Sequence, residues 1–170
     1  MDELEAIAAK IREAGKGRDY DCLLGLSGGA DSSYMAYIAK EVMHLRRSLS
    51  WSIQVELKRS CREHRKDSQR LDLDMYTEVV NWKEMSDFQL AMFKSQISSQ
   101  DAPQDHAIFA SLYNYAAKHR IKYILTGSNN STEFIRPPLE WIYMNDLTLY
   151  KDIHRKFGKR ELKTYDVRDF

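Results

Sequence analysis

Tyr20-Asp-Cys-Leu-Leu-Gly-Leu-Ser27-Gly28-Gly29-Ala30-Asp31-Ser32-Ser33 decides the fold. An apolar run of strand length breaks at a Ser-Gly-Gly turn, and a helical pattern then begins with Tyr34, Met35, Ile38 and Val42. Adjacent glycines let the backbone turn tightly and approach a ligand with no Cβ in the way. Successive N–H groups around such a turn, joined by the free N–H groups that open a helix, make an anion site. The hydroxyls of Ser27, Ser32 and Ser33 are candidate further donors to phosphate oxygens. Asp31 is a candidate helix cap or magnesium ligand. The ligand this predicts is the phosphate chain of a nucleotide.

The G-x-x-x-x-G-K-[ST] spacing and its lysine are absent, and G-x-G-x-x-G does not fit. The competing plain reading is an ordinary strand-turn-helix with an Asp or Ser cap. Composition suits one ordinary domain: 170 residues, 43% hydrophobic and 30% charged. A formal charge of +1 gives no general case for nucleic acid or a membrane surface. No early apolar stretch resembles a signal peptide, and none reaches transmembrane length. Cys22 and Cys61 are too few for a disulfide framework or a cysteine zinc site, so a reducing cytoplasm is expected. His44, His64, His106, His119 and His154 lack metal-ligand spacing, and no structural metal is expected.

Along the chain, strands and helices alternate. Leu4, Ile7, Ala8 and Ile11 share one face of a first helix, which Gly15 and Gly17 end. Cys22 to Leu26 is uniformly apolar, as a buried parallel strand should be. A helix follows from about Ser32 to Leu45. Leu73 to Val80 reads as a strand, and Lys83 to Ile97 has helical spacing through Met85, Phe88, Met92 and Phe93. Pro103 precedes a helix to about His119, with Ile108, Leu112, Tyr115 and Ala116 inward. Ile121 to Thr126 reads as a second buried strand, ending in Gly127-Ser128-Asn129-Asn130. Alternation of this kind implies a parallel sheet with right-handed crossovers, binding ligands beyond the carboxyl ends of its strands. Ser27–Ser33 and Gly127–Glu133 both follow a strand, which predicts that they share that edge.

The loop resembles S-G-G-x-D-S, the signature of the PP-loop ATP pyrophosphatases. That resemblance implies cleavage of ATP between its α and β phosphates, adenylation of a substrate oxygen, and displacement of AMP by a nucleophile. A narrower resemblance rests on Tyr20 to Tyr34, Pro103-Gln-Asp-His-Ala-Ile-Phe-Ala110, Ile121-Lys-Tyr-Ile-Leu-Thr-Gly-Ser-Asn129 and Ile153-His-Arg-Lys-Phe-Gly158. These segments look like the N-acetyl sugar amidotransferases of bacterial surface-polysaccharide synthesis. The resemblance covers Met1 to Arg46 and Leu71 to Phe170. It implies ATP activation of an acetamido group on a nucleotide-linked sugar, then attack by ammonia from a partner glutaminase to give an acetamidino group. An amide oxygen is a poor leaving group until adenylated, so a PP-loop suits that chemistry. The family also carries a Cys-containing stretch before this domain and a further region after it, so the chain is expected to be a fragment.

Asp105 and His106, near a helix start, are candidates for substrate contact or proton transfer; an Asp cap beside an ordinary helical His is the alternative. Thr126 to Asn129 matches the family's second nucleotide-facing loop. Glu133 is a candidate magnesium ligand or a solvated acid. Arg136-Pro137-Pro138-Leu-Glu-Trp141 is a candidate anion clamp or an extended surface connection.

Arg46 to Arg70 departs from the family, which has an apolar strand ending in V-D-x-G-W-N-S and then a helix containing N-I-E. Here stand Ser48-Leu-Ser-Trp-Ser-Ile-Gln-Val-Glu-Leu57 and the basic run Lys58 to Lys66. With permitted codons, Gln54 to Gln69 read one nucleotide later gives R-W-N-S-N-E-A-V-V-N-I-E-K-I-V. Leu49 to Val55 read two nucleotides later gives F-M-V-D-S-G. Together they restore the missing motifs in order, which points to a frameshifted stretch from sequencing error or gene decay. Codon degeneracy permits part of this agreement. A genuine strand with one buried face, followed by a solvated basic helix or a nucleic-acid patch, is the alternative.

The sequence therefore predicts one α/β domain over residues 1–170, of the adenine nucleotide α-hydrolase-like fold, with a parallel sheet flanked by helices. The expected ATP site is Ser27, Gly28, Gly29, Asp31, Ser32, Ser33, Gly127, Ser128 and Asn129, with Asp31 on magnesium. Expected partners are a nucleotide-linked N-acetyl sugar and an ammonia-supplying glutaminase, with no nucleic acid and no membrane insertion. Another PP-loop reaction, such as tRNA thiolation or lysidine formation, and a degenerate nucleotide-binding domain without catalysis are the alternatives.

Overall fold

Cys22, Leu23 and Leu24 are wholly buried in strand β1 (Cys22–Gly25). A strand apolar at every position needs cover on both faces, and the architecture supplies it. The structure, a computed structural model, describes residues 2–45, 48–54, 69–97, 100–128 and 146–163. Its other strands are β2 (Ser48–Gln54), β3 (Asp74–Val79) and β4 (Ile124–Thr126). Their order is β3-β2-β1-β4, and every pairing is parallel, with Leu24 opposite both Ser50 and Leu125. The expected α/β fold, a parallel sheet with flanking helices, is the one observed.

Helix α1 (Asp2–Gly15) and helix α2 (Ala30–Tyr37) cover one face. There Ala8, Ile11, Ala36 and Ala39 pack with Cys22, Leu24 and Leu26. Helix α4 (Ala102–Lys118) covers the other, where Leu112 and Ala116 meet Leu23 and Ile121. The pleat divides one apolar run between two cores. A third cluster joins α3 (Trp82–Ser95) to α5 (Leu147–Phe157) through Met85, Phe88, Met92, Tyr150 and Ile153.

Several expectations need correction. The helix after the loop begins at Ala30 and continues as a π-helical turn, Ile38–Val42, whose extra residue per turn lets Met43 N–H reach Ile38 O at 2.8 Å. This turn delivers Met43 and Leu45 to the core. Ile121 to Thr126 is not a fully buried strand. Only Ile124–Thr126 pairs, and it is partly exposed because it forms one edge of the described sheet. Ile7 and Phe93 share the helical spacing of their buried neighbours and are nevertheless 44% and 50% exposed.

Helix α5 lies in a stretch whose charged residues mask its apolar spacing. Leu147, Tyr150, Ile153 and Phe157 recur at helical spacing, and the Asp146 carboxylate caps the start by accepting Leu149 N–H at 3.0 Å. The strap after α5 is tied down by two acids of α3. Asp87 accepts the N–H groups of Lys159 and Arg160 at 2.8 and 2.9 Å, and Glu84 accepts Lys163 N–H at 3.0 Å. Burial works to raise the Asp87 carboxyl. Those two donors and His154, 3.4 Å away, outweigh it and hold the group below its ordinary value.

Candidate functional site

The loop between β1 and α2 is held by its own hydroxyls. Gly28 has φ +81°, a left-handed conformation that side chains resist, and it reverses the chain after Ser27. Ser32 is buried, donates to Gly29 O at 3.0 Å and accepts Ser27 N–H at 3.3 Å. Its Oγ also lies 3.1 Å from Ser27 Oγ. Ser33 Oγ donates to the same Gly29 carbonyl at 3.0 Å. The first backbone bond of the helix runs from Ser33 N–H to Gly29 O, so the N–H groups of Ala30, Asp31 and Ser32 open α2 ahead of it. These donors and the helix dipole make the loop electropositive without a charged side chain. Asp31 does not cap α2. Gly29 holds the N-cap position with no side-chain bond, and Asp31 stands exposed in the first turn.

A cleft of about 470 Å³ opens over this loop at the carboxyl ends of the strands. Leu26, Ser27, Gly29, Asp31 and Ser32 line one side, Thr126, Gly127 and Ser128 another, and Gln104, Ile108, Phe109 and Leu112 of α4 the third. The two loops touch. A Cβ on Gly127 would lie 2.6 Å from Ser32 N and Cα and 2.8 Å from Asp31 C. Backbone cannot yield as a flexible side chain does. Gly127→Ala is therefore expected to destabilise the fold by about 1–3 kcal/mol, as overpacking does. Urea denaturation of the two proteins measures it, and an unchanged midpoint would refute the close approach.

Of the expected site residues, Ser27, Gly29, Asp31, Ser32, Gly127 and Ser128 come together around the cleft. Gly28 and Ser33 shape the loop without lining it, and Asn129 lies outside the described residues, as do Glu133 and Arg136. Asp105 and His106 sit in the first turns of α4, and neither is among the cleft's lining residues. His106 is 2% exposed and meets the Tyr150 ring edge-on at 5.6 Å. Burial, then the charge of Asp101, raises the Asp105 carboxyl. Gln104 and Phe109 were not foreseen as lining residues. Their signal was the helical spacing of Gln104, Ile108 and Leu112, which places them along one side of α4.

Nucleotide phosphates fit what is present. A Cβ built on Gly29 meets only Ser27 Oγ, at 3.5 Å, so its face toward the cleft is open to a ligand. Among the described residues no group of three or more His, Cys, Asp or Glu is placed to hold a metal by itself. Magnesium commonly binds one or two carboxylates together with substrate phosphates, and Asp31 at the cleft suits that role. Among the described residues no helix is long and apolar enough to cross a membrane.

Residues 3–136 match the sequence profile of the family described as NAD synthase. The chain belongs to the NAD synthase family. The match takes in both cleft loops as far as Ser128. Solved structures with the same fold include an NH3-dependent NAD synthetase from Campylobacter jejuni, 20% identical with a TM-score of 0.53, covering 75% of this chain and 56% of that one. An NMN synthetase from Francisella tularensis is 18% identical with a TM-score of 0.54, covering 76% and 55%. A glutamine-dependent NAD+ synthetase from Acinetobacter baumannii, solved with ADP, is 18% identical with a TM-score of 0.54, covering 75% and 25%. The chain thus spans about half the length of the first two. The comparison with curated proteins gives no match.

Proposed function

We propose that this NAD synthase-family domain binds ATP with magnesium and uses it to activate a carbonyl oxygen for replacement by ammonia-derived nitrogen. The observation that carries the reading is the meeting of the open helix N-terminus at Ala30–Ser32 with the Gly127 loop over one cleft. In this scheme Ser27, Gly29 and the N–H groups of Ala30 to Ser32 hold the phosphates, and Asp31 holds magnesium. The acceptor oxygen attacks the α-phosphorus and pyrophosphate leaves. Ammonia then adds to the carbonyl carbon, and AMP departs with the oxygen.

For the acceptor, the motifs around Ser27, Pro103, Ile121 and Ile153 favour the acetamido group of a nucleotide-linked sugar, with a partner glutaminase as ammonia source. A second reading is favoured by the family match and by relatives named NAD and NMN synthetases: synthesis of such a nucleotide amide. Both require the same nucleotide products. With ammonium, ATP, magnesium and either acceptor, any turnover is expected to release AMP and pyrophosphate in equal amounts. Product analysis by ion-exchange chromatography checks this, and ADP with phosphate as main products would reject the mechanism.

The proposal extends to Arg46–Arg70. β2 lies between β1 and β3, where a parallel strand is ordinarily apolar at consecutive positions. Its sequence, Ser48-Leu-Ser-Trp-Ser-Ile-Gln54, has a polar residue at every second position. A central place filled by a sequence with one polar face supports a shifted reading frame, and residues 55–68 lie outside the described residues. Catalysis by the chain as it stands is then impaired although Ser27–Ser33 is intact.

A further inference from the structure

The segment Ile153-His-Arg-Lys-Phe-Gly158 takes no part in the loop cleft. With the strap that follows, it forms a concavity of about 570 Å³ that shares no lining residue with that cleft. Lys151, His154 and Arg155 of α5 form one wall, and Lys159, Arg160 and Glu161 of the strap form the other.

The balance of charge here is uneven. Arg155 is paired with Asp152 at 2.5 Å, and Glu161 with Lys163 at 3.4 Å. Asp87 is taken up by the strap's N–H groups and His154. Among the described residues, Lys151, Lys159 and Arg160 have no carboxylate partner. Basic groups in the last turn of a helix ordinarily complement its dipole, which accounts for Arg155 and Lys156. It does not account for Lys159 and Arg160. They lie beyond the helix, on backbone fixed by a carboxylate whose side chain is only 9% exposed.

Beside the concavity is a recess of about 130 Å³ that shares Lys151, His154, Arg155 and Leu162 with it and is walled by Phe88 and Tyr150. An apolar cavity of about 150 Å³ holds a benzene ring. We propose that this surface binds a phosphate ester, with its phosphate between Lys151, Lys159 and Arg160 and an aromatic or compact apolar body in the recess. Three cations with no carboxylate partner among the described residues suit a phosphate, with about 1.5–2 negative charges at pH 7, better than a single carboxylate.

The site stands independently of the nucleotide loop, and the test separates the two. Phenyl phosphate and inorganic phosphate are titrated by calorimetry into the full chain, a Lys159→Ala/Arg160→Ala variant, and Gly29→Val. The two alanines remove exposed side chains but keep the N–H groups that Asp87 accepts, so the strap stays anchored. Phenyl phosphate is expected to bind more tightly than phosphate. Its affinity should fall about tenfold in the double variant, as for the loss of two solvent-exposed ion pairs, and stay unchanged in Gly29→Val. Equal binding by the double variant and the parent, loss in Gly29→Val alone, or no binding at all would overturn the site. Equal affinity for the two probes would overturn the ester in favour of free phosphate.

Discussion

Gly29→Val is expected to weaken ATP binding about a hundredfold while lowering the thermal midpoint by only about 2–4 °C, for the poorer N-cap. The loss corresponds to two charge-assisted hydrogen bonds from backbone to phosphate, at about 1.5 kcal/mol each. A valine there projects into the space a phosphate would need. Its Cβ has room, since that position meets only Ser27 Oγ at 3.5 Å, and the backbone is extended, with φ −82°. That openness makes the variant informative, because it separates loss of ligand from loss of fold. Isothermal titration with magnesium-ATP and a thermal melt on the same preparations check both halves. Equal affinity in the two proteins would remove the loop from the site.

Restoring F-M-V-D-S-G-W-N-S-N-E-A-V-V-N-I-E-K-I-V within Arg46–Arg70 is expected to produce the largest gain. A strand between two parallel neighbours ordinarily carries apolar residues in succession, and placing two there instead of polar ones contributes roughly 3 kcal/mol or more. For a chain of this size, that raises the midpoint by roughly 6–12 °C. Removing Lys58 to Lys66 also takes away a run of charges that resists burial unless paired. The restored chain should withstand limited proteolysis longer and bind ATP more tightly. Resequencing the locus should find compensating insertions or deletions near Arg46, Val55 and Arg70. A clean locus together with an unimproved restored chain would make the segment native.

The sequence was most legible where local rules agree with the tertiary fold. Cys22 to Leu26 carries no charge and runs into two glycines, so strand, turn and helix onset all follow from a dozen residues. The apolar stripes of α1, α3 and α4 were legible for the same reason, although Ile7 and Phe93 fit the helical spacing and still face solvent. Spacing fixes a side, not its depth. Helix α5 escaped because Lys151, Asp152, His154, Arg155 and Lys156 crowd between its apolar positions. Within the site, residue types were legible but not their orientation. A serine beside a phosphate loop can donate to ligand or to its own backbone, and only the fold shows that Ser32 and Ser33 turn toward Gly29 O. The loop motif pointed to the PP-loop enzymes, while the narrower family it suggested differs from the NAD synthase family that residues 3–136 match.

The placement of β1 between β2 and β4 has a consequence for how the chain matures on the ribosome. Gly25 meets Trp51 soon after both are made, but its other neighbour, Thr126, is about a hundred residues further on. At ordinary rates of translation that interval is roughly 5–20 s. Throughout it, the most apolar of the described strands offers a bare hydrogen-bonding edge, the kind that pairs readily with other chains. Nascent chains stalled before β4 should therefore be the aggregation-prone species, and any delay in forming β2 widens that window from the other side.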